Sequence, residues 1–311
     1  MSRILVTGSS GRLGRSVVAV LGQRGHEVIE VDLTVPNAES AGAGTSAQQI
    51  AADLTDATQA SAVLEQTKPD AVIHLAAIAV PFSAPEQHIL RTNASLAYNV
   101  MQAAVDAGVR KIVTASSPTV FGYGAPEGWL PERLPLDEDV APRPWNAYAL
   151  SKLVAERTAQ MFAAQCGDRV RLAAFRPCYV IAPEEWEGAP TQQGHTILER
   201  LDDPALSAPA LFNYVDARDV GVFLDTLLAG IGDIPNAQTF MVGAADALAR
   251  RPLAELLPQF IPGTESLAAG LTGTQPAFSI EKARRLLGWE PEHDWRSVLS
   301  EVSTHTLAGG A

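Results

Sequence analysis

The sequence predicts an α/β protein built on a doubly wound parallel sheet, with a smaller, discontinuous lobe towards its C-terminal end. Three observations carry that expectation. Short β-branched runs alternate with longer helix-like segments through residues 1–177, a glycine-rich turn joins the first strand to the first helix, and after Pro177 the texture changes to loops rich in Pro, Gly and Glu.

The strands are expected at residues 4–6, 28–32, 50–53, 71–75, 111–115 and 171–175. Each is a short run rich in apolar residues, several of them β-branched, of the kind that a sheet covered on both faces requires. Helices are expected between them at 13–24, 58–66, 87–107 and 146–165, the last two long enough to offer a core face and a second face. Beyond the loops at 182–194, a helix at 216–229 rejoins the main domain and another at 279–287 belongs to the C-terminal part. Residues 41–47 read as a Gly/Ala/Ser/Thr-rich loop, and no internal repeat is visible.

Composition narrows the function. With 311 residues and 47% hydrophobic side chains the chain can bury a large core. A formal net charge of -12 repels phosphodiester backbones and anionic lipid surfaces, so neither nucleic acid nor a membrane is an expected partner. The two cysteines, Cys166 and Cys178, lack metal-ligand spacing, so neither a disulfide framework nor a metal site is expected. The longest apolar stretches, such as 71–82, fall short of the roughly 20 residues a span needs. The N-terminus enters a strand without a charged leader, and a soluble, cytoplasmic protein is the expectation.

Strand Ile4-Leu5-Val6 runs into Thr7-Gly8-Ser9-Ser10-Gly11-Arg12-Leu13-Gly14 and then into a helix. Glycines at that turn let backbone approach a pyrophosphate, and the helix N-terminus supplies donors and a favourable dipole, the Rossmann arrangement for a dinucleotide. Asp32 closes the second strand, where a carboxylate accepts hydrogen bonds from ribose hydroxyls and repels a 2′-phosphate, which favours NAD over NADP. Asp53, followed by Leu54, is a candidate for the adenine amino group; its alternative reading is a helix N-cap before Thr58.

Tyr148 and Lys152 lie four apart in a predicted helix and share one face. A nearby ammonium moves a phenol from about 10 towards the working range, and Lys152 can also bond the nicotinamide ribose. Upstream, Thr114-Ala115-Ser116-Ser117-Pro118-Thr119 places hydroxyls at the carboxyl edge of the sheet, where α/β ligands bind.

Together T-G-x-x-G-x-x-G, His74-Leu75-Ala76-Ala77, the S-S-x-T-V-F-G segment, Y-x-x-x-K and Arg176-Pro177 resemble the extended short-chain dehydrogenase/reductases, specifically the NAD-dependent epimerase/dehydratase family. The closing segment Ala283-Arg284-Arg285-Leu286-Leu287-Gly288-Trp289 matches that family's C-terminal helix and turn. The resemblance implies Tyr148 as general acid/base, Lys152 as its electrostatic partner and Ser117 as the hydroxyl on the reacting oxygen. It implies Asn93 as a helper in proton relay; the alternative for Asn93 is a capping or turn residue. It also implies Pro177, Tyr179 and Val180 beside the nicotinamide, Leu75, Ala76 and Ala77 along the cofactor, and a homodimer through helices 87–107 and 146–165. Residues 1–178, rejoined by about 212–242, then form the NAD-binding domain, and 179–211 with 243–311 form the substrate-binding lobe.

Members of such a family that eliminate water need an acidic pair after the Ser/Thr hydroxyl, and Pro118 and Thr119 stand there instead. Dehydration is disfavoured, whereas dehydrogenation and epimerisation both remain open. The arginines that hold a sugar diphosphate are also missing: Phe212 occupies the first position, and residues 271–278 contain no Arg. A small sugar or sugar acid is therefore the expected substrate, with a nucleotide-sugar 4-epimerase or a catalytically silent NAD-binding regulator as alternatives. Arg176 and Arg218 read as anion clamps or as salt bridges, Thr119 and His195 as substrate contacts or as ordinary loop residues, and Trp186 as pocket wall or core.

Overall fold

A computed structural model describes residues 1–35 and 48–300. The Gly/Ala-rich segment at 41–47 and the last residues of the C-terminal lobe lie outside the described residues. In chain order the elements are β1 (Arg3–Thr7), α1 (Arg12–Gln23), β2 (Glu27–Asp32), β3 (Gln48–Ala51), α2 (Ala57–Thr67), β4 (Ala71–His74), α3 (Glu86–Asp106) and β5 (Lys111–Ala115). There follow α4 (Ala147–Cys166), β6 (Arg171–Pro177), β7 (Val180–Ile181), α5 (Pro183–Trp186), α6 (Ile197–Asp202), β8 (Val215–Asp216) and α7 (Ala217–Gly230). The order ends with β9 (Gln238–Val242), α8 (Leu253–Phe260), α9 (Glu265–Ala268) and α10 (Glu281–Leu287).

The chain divides into two compact units. The first comprises the described residues of 1–120, together with 142–176 and 221–240; the second comprises 121–141, 177–220 and 241–300. Segment 121–141, which the sequence places with the first domain, falls in the second unit; nothing in its local composition marks that change.

In the first unit β1 pairs in parallel with β2 on one side and β4 on the other. The seven-stranded order β3-β2-β1-β4-β5-β6-β9 therefore reverses direction at β1/β4. Loops leaving the carboxyl ends of β1 and β4 diverge there, which opens the crevice that α/β sheets use for ligands. The central strands are apolar along their middles: Ile4, Leu5, Ile29, Val72, Ile73 and Val113 are fully buried. That is what a parallel sheet covered by helices on both faces demands. One face is packed by α2, α3 and α4 through Leu64, Val100, Met101 and Phe162. β3 begins and ends two residues earlier than predicted, so Asp53 follows the strand rather than closing it.

The second unit has its own core of Ile181, Trp186, Ile197, Leu201, Tyr214, Leu248 and Trp295 around the short parallel pair β7/β8. Trp186 is core, and its indole N–H donates to Asp216 at 2.7 Å.

Candidate active site

The turn after β1 is built by compression. Gly8 sits at φ +70, and a Cβ there would lie 2.7 Å from the Ala76 nitrogen; a Cβ on Gly14 would lie 2.1 Å from the Gly8 carbonyl oxygen. Only glycine fits either place, and the result is bare backbone beside the first turn of α1, where Gly11 is the N-cap followed by Arg12 and Leu13. Asp32, at the end of β2, leans over this turn: its carboxylate accepts the Ser10 N–H at 2.9 Å and the Leu33 N–H at 2.7 Å. A cradle without Cβ atoms, a helix N-terminus and a carboxylate at the neighbouring strand end fit an NAD pyrophosphate and ribose.

The loop after β4 is held by a group that the sequence analysis left without a role. Thr7 and His74 are register partners, and Thr7 Oγ1 lies 2.8 Å from His74 Nδ1. The same oxygen accepts the N–H groups of Leu75 and Ala76, each at 3.2 Å. With both amides donating into it, the threonine hydroxyl donates to the imidazole, whose own proton then sits on Nε2. Burial, helped by Lys152, pushes His74 down to about 3, so the ring is neutral. The residues Leu75, Ala76 and Ala77 thus leave β4 along a fixed path beside the glycine turn.

Asn93 is neither a cap nor a turn residue. It is buried in the middle of α3, accepts the Ile78 N–H at 2.8 Å, and donates to the Ile78 carbonyl and to Ser151 Oγ at 3.1 and 3.0 Å. Ser151 in turn donates to the Tyr148 carbonyl at 2.7 Å, so the loop after β4, α3 and the first turn of α4 form one polar chain. Asn146 caps α4 through the Ala149 N–H at 2.8 Å.

Tyr148 and Ser117 meet side chain to side chain. Thr119, in the 3₁₀ turn that begins at Pro118, donates to Ser117 Oγ through its hydroxyl at 2.9 Å and its N–H at 3.2 Å. The serine proton is thereby aimed at the phenol oxygen, which helps the phenolate, yet burial wins and raises Tyr148 to about 12. Lys152 Nζ donates to the Ala115 carbonyl at 3.1 Å and sits 5.7 Å from the Tyr148 ring centre; burial lowers it to about 8. The expectation that the ammonium alone brings the phenol towards neutrality is corrected here, since desolvation of both groups dominates in this structure.

Several other expected residues have different surroundings. Asp53 accepts from the N–H and hydroxyl of Thr55 at 2.9 and 2.7 Å, an Asx-type turn, while the cap of α2 is Asp56 through the Thr58 N–H. The Leu54 side chain is core. Arg176 is neither anion clamp nor surface salt bridge: it forms a two-point pair with Glu156 at 2.7 and 2.9 Å, both side chains at least 96% buried. Glu156 also accepts from Ser116 at 2.5 Å, joining the ends of β5 and β6 to α4 one turn beyond Lys152. That spacing along α4 was the available signal for Glu156.

In the second unit, Arg218 clasps Asp216 at 2.9 and 2.7 Å. Pro177 ends β6, Val180 pairs with Val215, and the Tyr179 ring lies under the Arg200 guanidinium. His195 is half-buried in the turn before α6, with its carbonyl accepting the Thr191 N–H. Phe212 is buried against Phe260, so no cation stands in its place.

A family model described as NAD dependent epimerase/dehydratase family matches residues 4–243. Among curated relatives, a UDP-glucose 4-epimerase of Corynebacterium glutamicum is 25% identical, covering 99% of this chain and 97% of its own. A uronate dehydrogenase of Agrobacterium fabrum is 30% identical over 77% of this chain and 87% of its own. Among solved structures, a UDP-glucose-4-epimerase from Stenotrophomonas maltophila superposes with a TM-score of 0.72 at 21% identity, covering 99% of this chain and 100% of that one. A short-chain dehydrogenase/reductase superfamily protein from Agrobacterium tumefaciens, solved with bound NAD, gives 0.69 at 26% identity, with 99% and 98% covered.

Proposed function

From the premise that this chain belongs to the NAD-dependent epimerase/dehydratase family, we propose that it transfers hydride at a secondary alcohol carbon of a small sugar or sugar acid. The observation that carries the reading is the meeting of Ser117 with Tyr148 beside Lys152, together with the loss of every expected diphosphate-binding arginine.

Bound NAD supplies the hydride acceptor. Gly8, Ser10, Gly11, Arg12, Leu13 and Gly14 cradle its pyrophosphate, Asp32 selects the unphosphorylated ribose, and Asp53, Leu54, Leu75, Ala76 and Ala77 border the adenosine half. Tyr148 moves the substrate's hydroxyl proton. Held at about 12, it is protonated at neutral pH and ready as the acid for ketone reduction. As the base it relies on cationic charge close to the phenol, to which Lys152, still largely protonated at neutral pH, contributes. Ser117, aligned by Thr119, donates to the reacting oxygen, and Asn93 holds Tyr148 in place through Ser151.

The near full-length likeness to UDP-glucose 4-epimerases favours a second reading, a nucleotide-sugar 4-epimerase. The two part in a single assay. Purified protein is incubated with NAD and a panel of aldoses, uronates and UDP-sugars, with NADH and epimers both measured. NADH from a uronate or aldose is expected, with kcat falling about 10²–10⁴-fold in Tyr148→Phe. Epimer without free NADH supports the second reading, and neither product anywhere in the panel overturns both.

We also read α3 and α4 as the faces of a two-fold dimer, supported by the exposed Tyr98, Leu150 and Met161 on these helices. Light scattering showing only monomer at micromolar concentration would sink that assignment. Cytoplasmic residence belongs to the same proposal; no described helix is long and apolar enough to cross a membrane.

A further inference from the structure

The second unit holds a buried cation whose donors are not all used. Arg200, in α6, is 1% exposed. Its Nη1 donates to Gln193 Oε1 at 2.6 Å, while its Nε is buried without a partner. Glu185 reaches it only through space, and one oxygen of that carboxylate is already taken by the Ala182 N–H at 2.7 Å. The guanidinium carbon lies 4.2 Å from the centre of the Tyr179 ring, whose hydroxyl is buried without a partner. The Thr191 hydroxyl, two residues before Gln193, is buried and unpartnered as well.

Burying a guanidinium with an unmet Nε–H against a ring whose hydroxyl is also unmet is costly, and a fold keeps such groups where something else completes them. What completes a planar fork of N–H donors and two O–H donors is an oxyanion. The acceptor now on Arg200 is the amide oxygen of an exposed side chain in the turn where the Thr191 N–H donates to the His195 carbonyl. Gln193 can leave that position at little cost, because its alternative partner is water.

We propose that Arg200, with the hydroxyls of Tyr179 and Thr191, forms an oxyanion-binding subsite that takes the acidic group of a sugar acid or sugar phosphate, displacing Gln193. This deepens the functional reading above, since it names the chemistry that replaces the missing diphosphate arginines. It also distinguishes Arg200 from Arg176 and Arg218, each committed to a carboxylate of its own chain.

The test is calorimetric titration of the NADH-loaded protein, in which an alcohol cannot be oxidised, with glucuronate, glucose and inorganic phosphate. Glucuronate is expected to bind at least about tenfold more tightly than glucose, and R200Q is expected to erase that preference while NADH affinity is unchanged. Gln193→Ala, a change at an exposed position that leaves the fold alone, is expected to tighten glucuronate binding severalfold by removing the competing acceptor. Phosphate that competes with glucuronate identifies a site for either oxyanion; phosphate that does not compete narrows it to carboxylates. The proposal is overturned if R200Q keeps the glucuronate preference, or if Gln193→Ala weakens binding. Arg200-dependent binding of glucuronate without turnover by the NAD-loaded enzyme would remove the functional reading and leave the subsite standing.

Discussion

Acidification should weaken this protein through one imidazole. His74 is 4% exposed and is held neutral at about 3, against 6.5 for a free histidine, chiefly by burial and secondarily by Lys152. The folded pKa is depressed, so the unfolded chain takes up the proton first. The associated stability is complete above pH 6.5 and is lost progressively as pH falls towards 3. Over the whole window the difference amounts to about 5 kcal/mol, and between pH 7 and pH 5 to about 2 kcal/mol. Other titrating groups contribute in the same range, so the measurement is a difference. Urea unfolding of wild type and His74→Asn is followed at both pH values, the asparagine keeping an acceptor for the Thr7 hydroxyl. Wild type is expected to lose about 2 kcal/mol more than the variant on going to pH 5. Equal losses would refute the assignment of a buried neutral ring. Because Thr7 also fixes the Leu75 and Ala76 amides, NAD affinity should fall over the same pH range and should do so less in the variant.

Asp32→Ala should reduce the preference for NAD over NADP by about tenfold or more, through loss of ribose bonding and of repulsion towards a 2′-phosphate; unchanged ratios of kcat/KM would show that Asp32 only shapes the turn. Glu156→Ala takes the carboxylate from the buried Arg176 guanidinium and should cost about 3–5 kcal/mol in thermal unfolding, whereas an apolar pair of similar volume at both positions should cost much less. Additive losses in that double variant would contradict the ion-pair account. Thr119→Val removes the shorter of the two hydrogen bonds that turn Ser117 towards Tyr148 and leaves the backbone one, so kcat should fall about tenfold with KM little changed; a KM effect alone would reassign Thr119 to substrate contact.

The parallel sheet and the glycine turn were legible because their signals are local: apolar runs of strand length, and glycines at fixed spacing between a strand and a helix. The reversal of strand order at β1/β4 follows from that rhythm. What escaped depends on contacts between residues far apart in the chain. Asp53 and Asp56 are equivalent as letters, and only the helix start decides that Asp56 is the cap. Arg176 looks available until Glu156, twenty residues earlier, is placed against it by α4. For Asn93 the sequence left a relay helper and a turn residue both open, and only the packing of α3 on α4 makes it a buried bridge to Ser151. Arg200 carries no sequence signal at all, since a charged residue in a short helix near a loop is ordinarily solvated.

The bonds that align Ser117, Tyr148 and Lys152 come from Thr119, Ser151, Asn93 and the carbonyl of Ala115, all within the first unit. The side chains that fill and punctuate residues 177–220 contribute none of them. On the functional reading proposed above, in which the second unit recognises the substrate, proton transfer and substrate choice are separate loads on the sequence. Under that proposal, a library confined to residues 177–220 should yield altered specificity far more often than lost chemistry.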